Sequence, residues 1–332
     1  MDRNDEHDDL SRALHDAVAD VRPEGTLAQI RTRTDKVVPM SRRWLLPTLA
    51  AAAAMAVVVG GAFWLTKGDD AKPGPAAEGT ATGSPSPSAT ATSPRAVPVY
   101  FVGDTPHGKK LYREFQTQQV CGTDDCLLKA ATVSAISGSP TDPDYTAPWP
   151  SDTGLHGLSY DGDVLTIDLA GDLHDRPAGM SQADAELAVE QLIYSAQAGL
   201  GQGRPPVQLL LAGQHTDTIL GVPSSEPLAA ANPDDVQAMV QVDSPADGGE
   251  VSSPFTVTGR AATFEANVVW ELRNGSTVVK KGFTTAQECC TLAPYSFQVS
   301  APPGSYTLTV HDTDESGQGL PVDQDTKEIT VR

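Results

Sequence analysis

Residues 44–66, WLLPTLAAAAAMAVVVGGAFWLT, run for 23 residues without a charged side chain. An α-helix rises about 1.5 Å per residue, so ~20 apolar residues cross the ~30 Å hydrocarbon core of a bilayer. Trp44 and Trp64 stand at the two ends, where indoles favour the headgroup zone, and Pro47 falls in the first turn, where a missing N–H costs little. A buried core helix would rarely be this long and this free of charge. A cleaved signal peptide would start nearer the N-terminus and end in small residues; here 43 residues precede the run, GGAFWLTKGDD closes it, and no cysteine sits there to take a lipid. The expectation is an uncleaved single-pass anchor. Arg31, Arg33, Lys36, Arg42 and Arg43 precede it, whereas Lys67 and Lys72 follow it among Asp69 and Asp70. The positive-inside rule then puts the N-terminus inside and the C-terminus outside, at the plasma membrane.

This topology sorts the rest of the chain. The net charge is −20, and residues 1–43 carry nine acids against eight bases, so nearly all of the excess lies beyond the span. Neutralising phosphates takes Lys and Arg, so nucleic acid is excluded as an outer partner. Aromatic residues make up 5% of the chain, while there are 29 Gly and 26 Pro, a balance that favours loop-rich β structure. All four cysteines lie beyond the span, where disulfides persist. Cys121 and Cys126 bracket the short turn GTDD and are expected to pair locally. Cys289 and Cys290 are adjacent; a vicinal bridge is strained, so pairing with the other two or with a partner stays open. The C-x4-C and CC spacings suit zinc poorly.

Five segments follow. Residues 1–43 form a cytoplasmic segment with short helices: Leu10, Leu14, Ala17, Val18 and Val21 recur at helical spacing, Pro23 and Gly25 break the run, and Thr26 opens a second helix. Residues 44–66 are the transmembrane helix. Residues 67–97, rich in Pro, Ser, Thr and Ala, read as a disordered linker with a stretched reach of roughly 90 Å. Residues 98–225 read as an α+β domain. It has a strand PVYFV, helical LLKAATVSAIS ending at Gly138, and two strands about Asp161-Gly162. A long helix over residues 180–200 is capped by Ser181 and Asp184 and stopped by Gly199 and Gly201, and a buried strand PVQLLLAG closes the pattern. Residues 236–332 carry short strands every 8–12 residues, with hairpin turns at Asn274-Gly275 and Pro303-Gly304, the spacing of an all-β sandwich.

These residues carry two resemblances. The order PVYFV, mid-domain helix, DGDVLTIDLA, long helix and VQLLLAG resembles the GerMN domain of sporulation and germination proteins, also found in membrane-anchored proteins of high-GC Gram-positive bacteria. The departures are SAISGSPTDPDY where that family usually reads LLxGP, and the cysteine-bracketed insert. VDSPADGGEVSSPFTVTGRAATFEANVVWEL, with PPGSYTLTV and DTDESGQG, resembles the immunoglobulin-like domain of bacterial germination proteins, the Gmad type. The resemblance implies a multidomain protein, a single transmembrane helix followed by a GerMN-like α+β domain and an immunoglobulin-like sandwich. It also implies a non-catalytic surface binding or scaffolding module without a cofactor.

No nucleophile elbow, zinc-protease signature or phosphate loop appears, and His156, His174, His215 and His311 read as surface residues. Asp312, Asp314, Ser316 and Asp323 follow the order of a calcium loop, with Gly317 at the turn. Against it stand the missing flanking helices, Asp in place of the longer Glu at the twelfth position, and Pro321, and the competing reading is an Asx-rich strand connection. In TFEANVVW, alternation puts Phe264, Ala266 and Val268 on one face and Glu265, Asn267 and Val269 on the other. Phe264 and Trp270 are expected in the core, and Glu265 and Asn267 serve either as structural hydrogen-bonders or as a ligand edge. The function expected is extracytoplasmic binding of wall material or an envelope protein, and not an enzyme. The alternative is an anti-sigma-like transmembrane regulator whose residues 1–43 hold a cytoplasmic partner.

Overall fold

The computed structural model describes residues 92–314 and 317–332, all of which fall in one compact unit. The expected cytoplasmic helices, membrane span and most of the linker lie outside the described residues. Among the described residues, no helix is long and apolar enough to cross a membrane.

The first domain starts on a long hairpin. β1 (Thr92–Thr105) and β2 (Gly108–Cys121) pair antiparallel over their whole length around a turn in which Gly108 has φ +99°. The strand therefore begins inside the stretch expected to be linker through residue 97. Residues 92–97 face residues 116–121 of β2, and this pairing supplies the order that the local composition does not. Pro94 and Pro98 are tolerated because β3 (Tyr145–Thr146) covers only Val102 and Gly103 on the other side of β1. The Cys121–Cys126 disulfide ties the end of β2 to the first turn of α1 (Asp124–Ser137). β4 (Gly154–Tyr160) and β5 (Leu165–Ala170) make the hairpin about Asp161, whose carboxylate accepts the N–H groups of Asp163 and Val164. These bonds hold the Asp161 carboxyl below its ordinary pKa.

α2 (Gln182–Leu200) crosses over to β6 (Val207–Leu211), which runs parallel to β5. Its start is the expected capping box: the Ser181 hydroxyl accepts the Asp184 N–H at 3.0 Å, and the Asp184 carboxylate accepts the Ser181 N–H at 3.3 Å. Its end is Gly201 in the left-handed conformation. Gly199, expected to help stop the helix, lies within it. A Cβ there would stand 2.6 Å from Ala131 Cβ, so the glycine allows α1 to approach α2. The two helices and both sheets enclose a core that includes Phe101, Leu128, Ile167, Leu192 and Leu209.

Short strands β7 (Gln214–His215), β8 (Thr218–Ile219) and β9 (Val222–Pro223) and the one-turn α3 (Pro233–Val236) lead into the second domain. That domain is a sandwich. One sheet holds β10 (Val240–Ser244), β12 (Phe255–Ala261) and β15 (Ala293–Val299), in that order. The other runs β11 (Gly249–Val251), β17 (Gln324–Val331), β16 (Gly304–His311), β13 (Asn267–Asn274) and β14 (Thr277–Thr285). Val268, Trp270 and Leu272 alternate inward from β13, and Trp270 stacks on Phe297 with ring centroids 5.0 Å apart.

Candidate binding surface and interdomain seam

On β17 the buried positions are Asp325, Lys327, Ile329 and Val331. The last two complete the sandwich core. The first two face the other domain. Lys327 Nζ donates to Asp325 Oδ1 at 2.8 Å, to Asp142 Oδ2 at 2.5 Å and to the Tyr145 hydroxyl at 2.6 Å. Tyr145 donates its own hydroxyl proton to Asp325 Oδ1 at 2.7 Å, and the Val242 N–H reaches Asp325 Oδ2 at 2.6 Å. Lys327 is 3% exposed and Asp142 2%, so these charges are out of water. An ammonium removed from water persists only with close anionic partners. Burial works against the charged form of Lys327, but Asp325 and Asp142 outweigh it and hold its pKa above the ordinary value. Burial pushes the Asp325 carboxyl up, and Lys327 opposes the shift. Burial, with Asp325 and Asp142 beside it, also drives the Tyr145 hydroxyl well above its usual value.

Asp142 and Tyr145 belong to the SPTDPDY loop, the segment that departs from the family pattern. Glu114 on β2 shapes it by accepting the N–H groups of Thr141 at 3.0 Å and Asp142 at 2.8 Å. Tyr112 stacks on Tyr145 at 4.7 Å. The seam continues along β2, where Arg113 grips Asp243 through two bonds of 3.0 and 2.6 Å. Arg260 donates to Gln237 at 2.5 Å, and the Ala238 N–H donates to Leu111 O at 3.0 Å. The first domain thus grips the sandwich through bidentate and buried ionic contacts, which are stronger and more directional than neutral ones.

The opposite face of the same sheet is built differently. β14 ends the sheet, so among the described residues its outer edge pairs with no strand. Phe283 is 75% exposed and Val279 49%. Phe283 stands beside Val269, and Lys281 beside Glu271, on the outer side of the β13–β14 pair. The Glu271 carboxylate is already held by Arg273 at 2.6 Å. Asn267, Val269, Lys281, Gly282 and Phe283 line a shallow hollow of about 600 Å³. Gly282 is required there, because a Cβ would lie 2.6 Å from the Trp270 ring beneath it.

The sequence-predicted residues distribute as follows. Asn267, half-buried, opens β13 and lines the hollow, and Glu265 is exposed beside it. Alternation does not extend back to Phe264: residues 264–266 form a tight turn with Glu265 at φ +54° and Ala266 at φ +57°. Phe264 is therefore turned out of the core and is 58% exposed, a correction to the expectation of burial, while Ala266 and Trp270 are buried. Cys289 and Cys290 bridge each other in the exposed connection between β14 and β15.

Of the calcium candidates, Ser316 lies outside the described residues. The Asp314 carboxylate accepts the N–H groups of Gly319 and Leu320 at 2.5 and 3.0 Å, Asp312 Oδ1 accepts that of Thr313, and Asp323 lies 3.7 Å from His107 of the first domain. The described carboxylates turn to separate partners, and among the described residues no three His, Cys, Asp or Glu side chains converge on a metal position. His156 Nδ1 lies 2.5 Å from Asp168, whose other oxygen accepts the Gly213 N–H, and His311 Nδ1 contacts the Asp312 carbonyl oxygen. The seam was not foreseen in the sequence. Only the burial of its β17 half had a signal, since Asp325 and Lys327 share the parity of Ile329 and Val331 in DTKEITV.

Comparison with known proteins gives the same division. Residues 98–217 match the family model described as "Sporulation and spore germination", and residues 239–318 match "Immunoglobulin-like domain of bacterial spore germination". Among solved structures, the first GerMN domain of the sporulation protein GerM from Bacillus subtilis is 17% identical, covering 40% of this chain and 97% of that one, with a TM-score of 0.30. The tandem GerMN domains of the same protein are 12% identical, covering 63% and 62%, with a TM-score of 0.32. An engineered protein is 21% identical with a TM-score of 0.27; the match covers 51% of this chain and spans about half, 49%, of that one. No curated protein matches.

Proposed function

We propose, from the premise that this chain is a germination-type protein uniting a GerMN domain with a Gmad-type immunoglobulin-like domain, that it is a non-catalytic binding and scaffold protein of the bacterial envelope. Residues 44–66 tether it to the plasma membrane with the N-terminus inside, and the two domains work outside it. The observation that carries the binding reading is the outer face of β13 and β14, where Phe283 and Val269 stand at the free end of a sheet. Contiguous exposed apolar surface beside an unpaired strand edge marks an interaction site. The seam supports the scaffold reading. The buried ionisable side chains Asp142, Asp325, Lys327 and Tyr145 bond to one another and join the domains.

The test is photo-crosslinking in intact cells from position 283, with position 217 on the first domain as a control, combined with protease treatment of spheroplasts. A discrete adduct with a wall or envelope component from position 283 alone, and removal of residues 98–332 by external protease, are expected. Protection of those residues from external protease, or the same adducts from both positions, overturns the reading.

A further inference from the structure

We infer that β14 receives an extended peptide as an added strand, and that this peptide carries an apolar residue and an Asp or Glu two positions apart. The inference rests on the binding reading above and names the partner's chemistry.

Three observations carry it. First, β14 is the terminal strand of its sheet. The nearest strand of the other sheet, β15, reaches it only through side chains: Thr284 Oγ1 donates to Ser296 O and Lys280 Nζ to Ser300 O, each at 3.2 Å. Thr284 and Lys280 share the inward parity of Gly282, so Lys281, Phe283 and Thr285 form the outward row. An unpaired edge of this kind is a template for main-chain pairing.

Second, the edge is protected unevenly. The bulge between Leu272 and Arg273 and the two lysines blunt its first half, as soluble proteins do to prevent adventitious pairing. Residues 282–285 carry neither device and present Phe283, which is 75% exposed.

Third, Lys281 makes no ion pair among the described residues, because its cross-strand neighbour Glu271 is bound to Arg273. A free ammonium two residues from an exposed aromatic ring, in a chain of net charge −20, selects a carboxylate two residues from an apolar side chain. The same feature disfavours a second copy as the occupant. Antiparallel pairing of β14 with itself about its centre sets Lys281 against Lys281, and like charges directly opposite repel.

The probe is the acetylated, amidated peptide TVTDTVTDT, which places Val and Asp alternately on one face, labelled for anisotropy and titrated against the full chain in detergent. The comparisons are TVTKTVTKT and a version of the first with Pro at alternate Thr positions. Saturable binding of the Asp peptide is expected, about tenfold tighter than the Lys peptide, with none by the Pro peptide, which cannot donate to the ladder. Lys281→Glu should reverse the Asp-over-Lys preference, a change that misfolding would not produce. Phe283→Ser should weaken both peptides roughly tenfold or more.

No binding by either peptide, or an unchanged preference in Lys281→Glu, overturns the inference. A concentration-dependent dimer by sedimentation that Phe283→Ser abolishes also overturns it, in favour of a second copy. An envelope component crosslinked at position 283 whose capture survives Lys281→Glu leaves the binding reading standing and sinks this inference alone.

Discussion

The two faces of the five-stranded sheet invert the usual placement of side chains. On the inner face of β17, Asp325 and Lys327 are buried beside Ile329 and Val331. On the outer face of β14, three strands away in the same sheet, Phe283 and Val279 stand in solvent. The difference follows from what each strand meets. β17 borders the first domain, and a charge there can be matched by Asp142 and Tyr145 in directional bonds that accept one docking geometry. An apolar seam would have bound as well with less demand on register. β14 ends the sheet, and among the described residues the other sheet reaches it through Thr284 and Lys280, so Phe283 on its outer side stays exposed. One face therefore fixes the domains relative to each other, and the other leaves apolar side chains in solvent.

The sharpest way to break this contrast is to remove the cation at the centre of the seam. Lys327→Met leaves Asp142 and Asp325 buried without their counter-charge, and loss of one partner of a buried pair costs about 3–5 kcal/mol. Urea unfolding followed by tryptophan fluorescence should show the loss, together with separation of the domain transitions. A loss below about 1 kcal/mol would mean that the seam is hydrated and contributes little. A step down in size is Gly282→Ala. Its Cβ would collide with the Trp270 ring, so the ring or the strand must shift, at about 1–3 kcal/mol. Thermal melting would register the cost, and the near-ultraviolet circular dichroism of Trp270 would change with it.

The seam also carries a pH signature of definite sign. Lys327 has a raised pKa when folded, through Asp325 and Asp142 overcoming its burial. Its contribution is complete below the ordinary lysine value of 10.5 and is lost as pH rises through the folded value. Tyr145 is raised by burial and by the same carboxylates, and the neighbouring Tyr112 is raised mainly by burial; both act in the same direction, because the folded state holds their protons more tightly. Burial also raises Asp325, so acidification toward its folded value favours the folded state at that group. The urea midpoint should accordingly hold up to about pH 9, fall as pH rises past the ordinary tyrosine and lysine values of 10.0 and 10.5, and fall less in Lys327→Met. Equal falls in the two proteins would place the alkaline sensitivity elsewhere.

Local features of the fold were legible in the sequence. Ser181 and Asp184 announce the start of α2 through complementary side-chain and backbone bonds only three residues apart, and Asn274-Gly275 announces the β13–β14 hairpin. What was not legible depends on distant pairing. Residues 92–97 have the composition of linker and become strand because 116–121 lie across from them. Phe264 reads as core by alternation, and the turn at residues 264–266 interrupts the period. Gly199 reads as a helix stop, and the approach of α1 gives it another purpose. The seam joins residues 142 and 145 to 325 and 327, and no local pattern links them. Of the binding surface, Asn267 was singled out from sequence, whereas Phe283 and Lys281 were not, because only the strand order shows that β14 ends the sheet.

The smallest expected effect bears most directly on the outer face. Phe283→Ser and Lys281→Glu remove an exposed ring and reverse an exposed charge that makes no ion pair among the described residues, and substitutions of this kind change stability by less than about 0.5 kcal/mol. Urea midpoints should match those of the parent protein for both. If Phe283→Ser costs as much as Gly282→Ala, the ring is part of the sandwich's packing and the outer face is structural. If it costs nothing while peptide binding weakens, the ring is kept in water for a partner. That result would separate the two faces of the sheet by their energetics as well as by their composition.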